Sequence, residues 1–139
     1  TAVDAECEDI IRGTVLRAFP GDAFLGEESV GSPEALAELL GEDRLWVVDP
    51  IDGTTNFVAG QPMSAVSIGV ARGGELVAGV IYDPFRDELF AAAAGAGATL
   101  NGVRIAVART DFLRDAVVAS GAPPNPRSAA PCFRAMSAL

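Results

Sequence analysis

Histidine is absent from this 139-residue chain, and cysteine occurs only twice. Without histidine there is no imidazole to complete a zinc site or to pair with a thiol nucleophile. Cys7 and Cys132 lie far apart with no metal-ligand spacing, so both read as ordinary packed thiols, a usage that fits a reducing cytoplasmic setting. Positive charge is also scarce, with 10 Lys and Arg against 19 Asp and Glu and a formal charge of -9. That balance argues against nucleic acid as a general partner, because binding a phosphate backbone needs clustered cations. An anionic substrate would need bound cations to offset the acid. No apolar run approaches a membrane span.

What is present suits a soluble globular domain, with half the residues hydrophobic and 21% charged. A compact domain of this size buries roughly two-thirds of the surface its unfolded form exposes. The chain opens on Thr1 rather than Met and ends in what reads as an unfinished helix, so a piece cut at both ends is expected. There is no repeat and no internal domain boundary; residues 1–139 read as one partial domain.

Thr1 and Asp4 open a helix whose apolar positions Ile10, Ile11, Val15 and Leu16 recur at helical spacing, and Pro20-Gly21-Asp22 stops it. Phe24 and Leu25 suggest a short strand. A second helix runs to Leu40, with Pro33 at its first position and Gly41 just past its end. Leu45 to Val48 reads as a buried strand that delivers Asp49 to a loop. Ala65 to Arg72 and Leu76 to Tyr82 read as a hairpin about Gly73-Gly74, Glu88 to Ala92 as a further strand, and Asn101-Gly102 as a two-residue turn. Ala116 to Ser120 looks like another strand, Ala122 to Arg127 like a loop, and Ala130 to Leu139 like a helix.

The stretch Asp49-Pro50-Ile51-Asp52-Gly53-Thr54-Thr55-Asn56-Phe57 carries the chemistry. Two carboxylates about 4.5 Å apart, in an effective dielectric near 20, repel by roughly 4 kcal/mol, which protonation or a cation must relieve. Oxygen ligands without histidine or thiolate favour magnesium or manganese over zinc. The turn at Gly53 leads towards a helix and offers free N–H groups to a phosphate. A bare Asp-x-x-Asp pair more often has a humbler role, its second member capping a helix and its first closing a turn.

The nine residues as a set resemble the first signature of the inositol monophosphatase family, as does the Trp46-Val47-Val48 lead-in. The similarity extends through Gly26-Glu27-Glu28-Ser29, Ala65-Val66-Ser67-Ile68-Gly69 and Val80-Ile81-Tyr82-Asp83-Pro84 to Asn101-Gly102, and weakens beyond Ala122. It implies an α+β fold, a layered α/β sandwich of which this is the N-terminal part, with a mainly antiparallel sheet and flanking helices. It implies magnesium-dependent hydrolysis of a phosphate monoester, inositol 1-phosphate first, by a lithium-sensitive homodimer.

In that pattern Glu27 and Asp49 bind one Mg2+ with help from the Ile51 carbonyl, Asp49 bridges to a second ion on Asp52, and a third ion or Mn2+ can join. Asp4 and Thr54 would orient and deprotonate the attacking water, while the N–H groups of Gly53 and Thr54 hold the phosphate. Glu28 stands behind the ligands or on the surface, and Trp46, Phe57 and Tyr82 are packing groups.

One departure from the pattern matters. The family completes its second metal with an aspartate from a Trp-Asp motif, and no such motif follows Trp46. The chain alone is therefore expected to bind magnesium weakly, to turn over little substrate, and to leave apolar surface uncovered. Other readings are a histidinol-phosphate, sugar or nucleotide phosphatase of the same family, a non-catalytic regulatory relative, or a truncated fragment.

Overall fold

A computed structural model describes residues 1–119, 121 and 125–137. Two compact units are found, Thr1–Ala106 and Val107–Leu139.

The first unit opens with α1 (Ala2–Ala18), β1 (Ala23–Gly26), a single 3-10 turn (Glu27–Ser29) and α2 (Pro33–Leu40). It continues with β2 (Arg44–Asp52), the short α3 (Thr54–Val58) and five further strands: β3 (Ala65–Arg72), β4 (Glu75–Asp83), β5 (Glu88–Ala93), β6 (Gly97–Leu100) and β7 (Val103–Ile105). All seven strands lie in one sheet in chain order. Only β1 and β2 run parallel, and α2 bridges them, as a parallel neighbour requires a crossover. The remaining pairs are antiparallel, with Arg72 opposite Glu75 and Leu100 opposite Val103 across the Gly73-Gly74 and Asn101-Gly102 turns. This is the α+β sheet with flanking helices that the sequence led us to expect.

Helix α1 exists because Thr1 caps its first turn and because an apolar stripe can be buried. Val15 meets Phe24 and Val48 in the core, with Ile11, Leu16, Trp46 and Ile68 packed around them. Trp46 and Val48 therefore turn towards α1. The intervening Val47 faces the other side of the sheet and remains 39% exposed, although Leu45 on that side is 3% exposed, so the second face of β2 is covered only in part.

Two expectations for β2 need correction. The strand does not stop at Val48 but runs on through Pro50 to Asp52, and Asp49 is a ladder residue opposite Ser67 rather than a loop residue. A register shift between Asp49 and Asp52 accommodates Pro50, which has no N–H to give the ladder.

The second unit holds a 3-10 turn (Leu113–Asp115) and α4 (Pro126–Met136). The strand expected from Ala116 does not form. Ala116 to Ala119 join no ladder and both Val117 and Val118 are exposed, because alternating apolar residues make a strand only beside a neighbour; Ser120 lies outside the described residues. Helix α4 also starts earlier than expected, since Asn125 caps it by accepting from the Arg127 N–H and Pro126 supplies a first helical residue. Of the loop expected over 122–127, residues 126 and 127 are helical and 122–124 lie outside the described residues, as do 138 and 139. Cys7 and Cys132 are each half-buried. Among the described residues no helix is long and apolar enough to cross a membrane.

Candidate active site

Asp4 sits in the first turn of α1 on the stripe that continues through Glu8, Ile11 and Val15, and it is only 1% exposed. The Thr1 hydroxyl donates a hydrogen bond to the Asp4 carboxyl. Fifty positions along the chain, Thr54 Oγ1 lies 3.3 Å from Asp4 Oδ1 and 3.0 Å from the Ile51 carbonyl oxygen. One hydroxyl proton is thus offered to two acceptors. The fold brings together the Asp4 and Thr54 that sequence reasoning paired, with the Ile51 carbonyl beside them.

Gly53 makes this placement achievable. Its φ of 92° lies in the left-handed region, and a Cβ there would stand 2.7 Å from the Met63 carbonyl oxygen. The chain turns at Gly53 from β2 into α3, and Asn56 Nδ2 donates to the same Met63 carbonyl at 2.9 Å, tying the turn to the entry of β3.

Glu27 starts the 3-10 turn after β1, where its side chain is exposed, and Asp49 is half-buried on β2. Burial, then the charge of Glu27 and a hydrogen bond with it, then the charge of Asp52, push the Asp49 carboxyl up to about 6, although the Ile51 N–H donating to Asp49 Oδ1 at 3.1 Å works the other way. Glu27 therefore stands close enough to disfavour the ionised form of Asp49. Asp52, exposed at the end of β2, adds its field but does not complete a ready-made cage. Among the described residues no three His, Cys, Asp or Glu side chains are arranged to hold an ion.

The donor chemistry nevertheless fits a hard divalent cation. Two carboxylates crowd until one is held near half-protonation at about pH 6, a third acid adds to the strain, and a backbone carbonyl stands nearby. A cleft of about 400 Å³ opens beside them, lined by Leu25, Glu27, Val30, Val47, Asp49 and Ser67 among others. A larger hollow of about 540 Å³ over β3 to β7 carries no carboxylate at all. We therefore place the chemistry at the smaller, acidic cleft.

Two carboxylates escaped sequence reasoning. Glu8, 3% exposed, accepts from Arg12 Nη2 at 2.8 Å and from the Glu28 N–H at 2.9 Å. Burial pushes its carboxyl up, but Ser29, Arg12 and the Glu28 N–H outweigh this and hold it below its usual value. The signal was available, because Glu8 occupies the core stripe of α1, where an unpaired acid has no place. Asp22 likewise accepts from Trp46 Nε1 at 2.7 Å and Arg44 at 2.6 Å, fixing the start of β2.

Trp46 is the packing group expected, with its ring centroid 5.4 Å from that of Phe19. Phe57 is not, being 38% exposed, and Tyr82 spends its hydroxyl on Asp87 at 3.0 Å. Glu28 is exposed and contributes its backbone to the Glu8 contact.

The fold sets a helix-flanked sheet around two local groupings, Asp4 with Thr54 and Glu27 with Asp49, and the chain belongs to the inositol monophosphatase family, whose family model matches residues 1–135. It is 43% identical over 122 residues to the inositol-1-monophosphatase of Rhizobium meliloti, covering 86% of this chain and 43% of that protein. It is 44% identical over 123 residues to the Nus factor SuhB of Pseudomonas aeruginosa, covering 88% and 44%. Among solved structures, the extragenic suppressor protein suhB of Bartonella henselae superposes with a TM-score of 0.77 at 42% identity, over 88% of this chain and 46% of that one. The chain thus spans less than half the length of the curated relatives it matches.

Proposed function

We propose that the chain supplies the acidic part of a magnesium-dependent site that hydrolyses phosphate monoesters, with inositol 1-phosphate the leading substrate. The observation that carries this reading is the Asp49 carboxyl pushed to about 6 beside Glu27 in an acidic cleft, with the charge of Asp52 adding to the shift. Such crowding is costly unless a cation is present. Glu27, Asp49, Asp52 and the Ile51 carbonyl would hold the metal, two or three Mg2+ ions or Mn2+. When bound, it would supply an acidified water and a Lewis acid for the leaving oxygen.

The chain's own residues do the rest. Asp4 accepts the Thr54 proton, leaving the Thr54 oxygen free to take one from the attacking water. The N–H groups of Gly53 and Thr54, exposed by the left-handed turn, would receive the phosphate oxygens. A homodimeric, lithium-sensitive, cytoplasmic enzyme belongs to the same proposal.

The test is a panel of phosphate monoesters, including inositol 1-phosphate, histidinol phosphate and nucleotides, assayed with the full-length gene product at graded Mg2+. Metal-dependent turnover that falls at least a hundredfold in Asp49→Asn supports the reading. Activity within a few-fold of wild type in that variant would refute the bridging assignment. A second reading, a regulatory partner role, is favoured by the 44% identity to a protein named as a Nus factor. Retention of such a role by the Asp49→Asn, Asp52→Asn double variant, with phosphatase activity gone, would separate the two.

A further inference from the structure

We infer that Glu8 and Arg12 are positioning residues for Glu27: an ion pair on α1, its glutamate buried and its arginine partly exposed, that sets where the exposed glutamate of the β1 turn points. This rests on the reading of Glu27 as a metal ligand given above. Glu27 meets Asp49, and its chain neighbours on both sides are tied to α1. On one side, Gly26 presses so closely on Glu8 that a Cβ there would lie 2.1 Å from both Cδ and Oε2. On the other side, the Glu28 N–H donates to Glu8 Oε2 at 2.9 Å. One residue further, Ser29 Oγ receives Arg12 Nη2 at 2.5 Å, and the same nitrogen reaches Glu8 Oε1 at 2.8 Å.

The clamp is itself held from below, because the Arg12 guanidinium stacks over the Phe24 ring at 4.8 Å and Phe24 is part of the core. Residues 26, 28 and 29 are thus fixed to α1, and residue 27 has little freedom left. A carboxylate that is 3% exposed is expensive to bury, and here it touches neither the Asp4–Thr54 pair nor Asp49. Besides Arg12 on its own helix, its contacts go to the strand end and turn that carry Glu27. Glu8 also lies one helical turn from Asp4, so a single rigid helix fixes the spacing between the Asp4–Thr54 pair and the metal-binding turn.

The test uses the full-length gene product and Mn2+ as probe, with free Mn2+ followed by electron paramagnetic resonance and Mg2+ activation measured in parallel. Groups that orient a metal ligand typically change affinity ten- to a hundredfold when altered. Glu8→Gln places an NH2 or a weaker acceptor against Arg12 and should raise the Mn2+ Kd about tenfold or more, within that range. The Mg2+ concentration for half-activation should rise in step, with kcat at saturating Mg2+ within about threefold of wild type. Arg12→Lys, at a partly exposed position, should weaken Mn2+ in the same direction and decides the matter if Glu8→Gln fails to fold. Glu6→Gln removes an exposed charge from the same helix and should leave the affinity unchanged.

Wild-type Mn2+ affinity in both Glu8→Gln and Arg12→Lys would overturn the inference. So would an equal loss in Glu6→Gln, which would reduce the effect to net charge, or a fall in kcat at every Mg2+ concentration with unchanged affinity, the mark of a purely structural role. If wild type shows no Mn2+ binding that Asp49→Asn abolishes, the metal-site reading fails and this inference fails with it.

Discussion

At the scale of single residues, Asp49 is placed where it cannot serve stability and function together. Its carboxyl titrates near 6 in the fold and near 3.8 in an unfolded chain, so between those values the folded state retains a proton that the unfolded state has released. Without metal, stability should therefore fall as pH rises through that window and stay reduced above it. The penalty is roughly 1 kcal/mol once solvent screening of this half-buried group is allowed for. Asp49→Asn removes the penalty, and the metal-free variant should melt a few degrees above wild type at pH 7.5 while matching it near pH 4. Added Mg2+ should reverse the order, stabilising wild type and not the variant. Melting curves in chelator and in Mg2+ at the two pH values check both halves. A variant that melts lower than wild type at pH 7.5 in chelator would mean that the crowding is not costly. Glu8 behaves oppositely, because its depressed carboxyl contributes stability above about pH 4.5 that is lost as pH falls through its lower folded value.

At the scale of elements, the turn at Gly53 links the β2 aspartates to Thr54. Gly53→Ala forces a side chain into a left-handed residue and sets its Cβ 2.7 Å from the Met63 carbonyl oxygen. The expected cost is about 1–3 kcal/mol, read as a lower denaturation midpoint with unchanged m-value. Thr54 should shift away from Asp4 as the turn relaxes. Such local constraints also show how much of the site the sequence could reveal. The Asp49-to-Phe57 stretch announced its chemistry because glycine, acids and threonine fall at fixed spacing within one turn. Asp4 was traceable only through a resemblance, since nothing in a first-turn aspartate foretells a partner fifty positions away. Glu8 was overlooked because helix reasoning tracked Ile11 and Val15 and passed over the acid on the same stripe. The continuation of β2 beyond Pro50 was hidden for a different reason: proline is normally a strand breaker, and only the pairing of Asp52 with Ala65 shows that the strand resumes past a register shift. In the second unit, Asn125-Pro126 was a legible helix start read as loop, whereas Ala116 to Ala119 had the composition of a strand and no neighbour to pair with.

At the scale of the whole molecule, the first unit covers one face of β1 and β2 with α1 and leaves a broad apolar surface open elsewhere. The hollow of about 540 Å³ over β3 to β7 is lined by Leu76, Ile81, Phe90 and Ile105 among others, and Leu76 is 73% and Ile81 48% exposed. Continuous apolar surface of this kind drives association in water whatever its natural cover. The 139-residue polypeptide should therefore sediment as concentration-dependent oligomers and bind a hydrophobic dye, even though its charge of -9 opposes close approach. Salt separates the two contributions: screening the charge should strengthen association, where an ion-paired interface would weaken. Ile81→Lys, in the middle of β4, places a cation in that surface without touching Glu27, Asp49 or Thr54. It should shift the sedimentation profile towards monomer and reduce dye binding severalfold, while leaving Asp49-dependent Mn2+ binding intact. If the variant associates as strongly as wild type, the sheet face is not the contact, and the exposed residues of the second unit, Val117 and Phe133 among them, become the next surface to change.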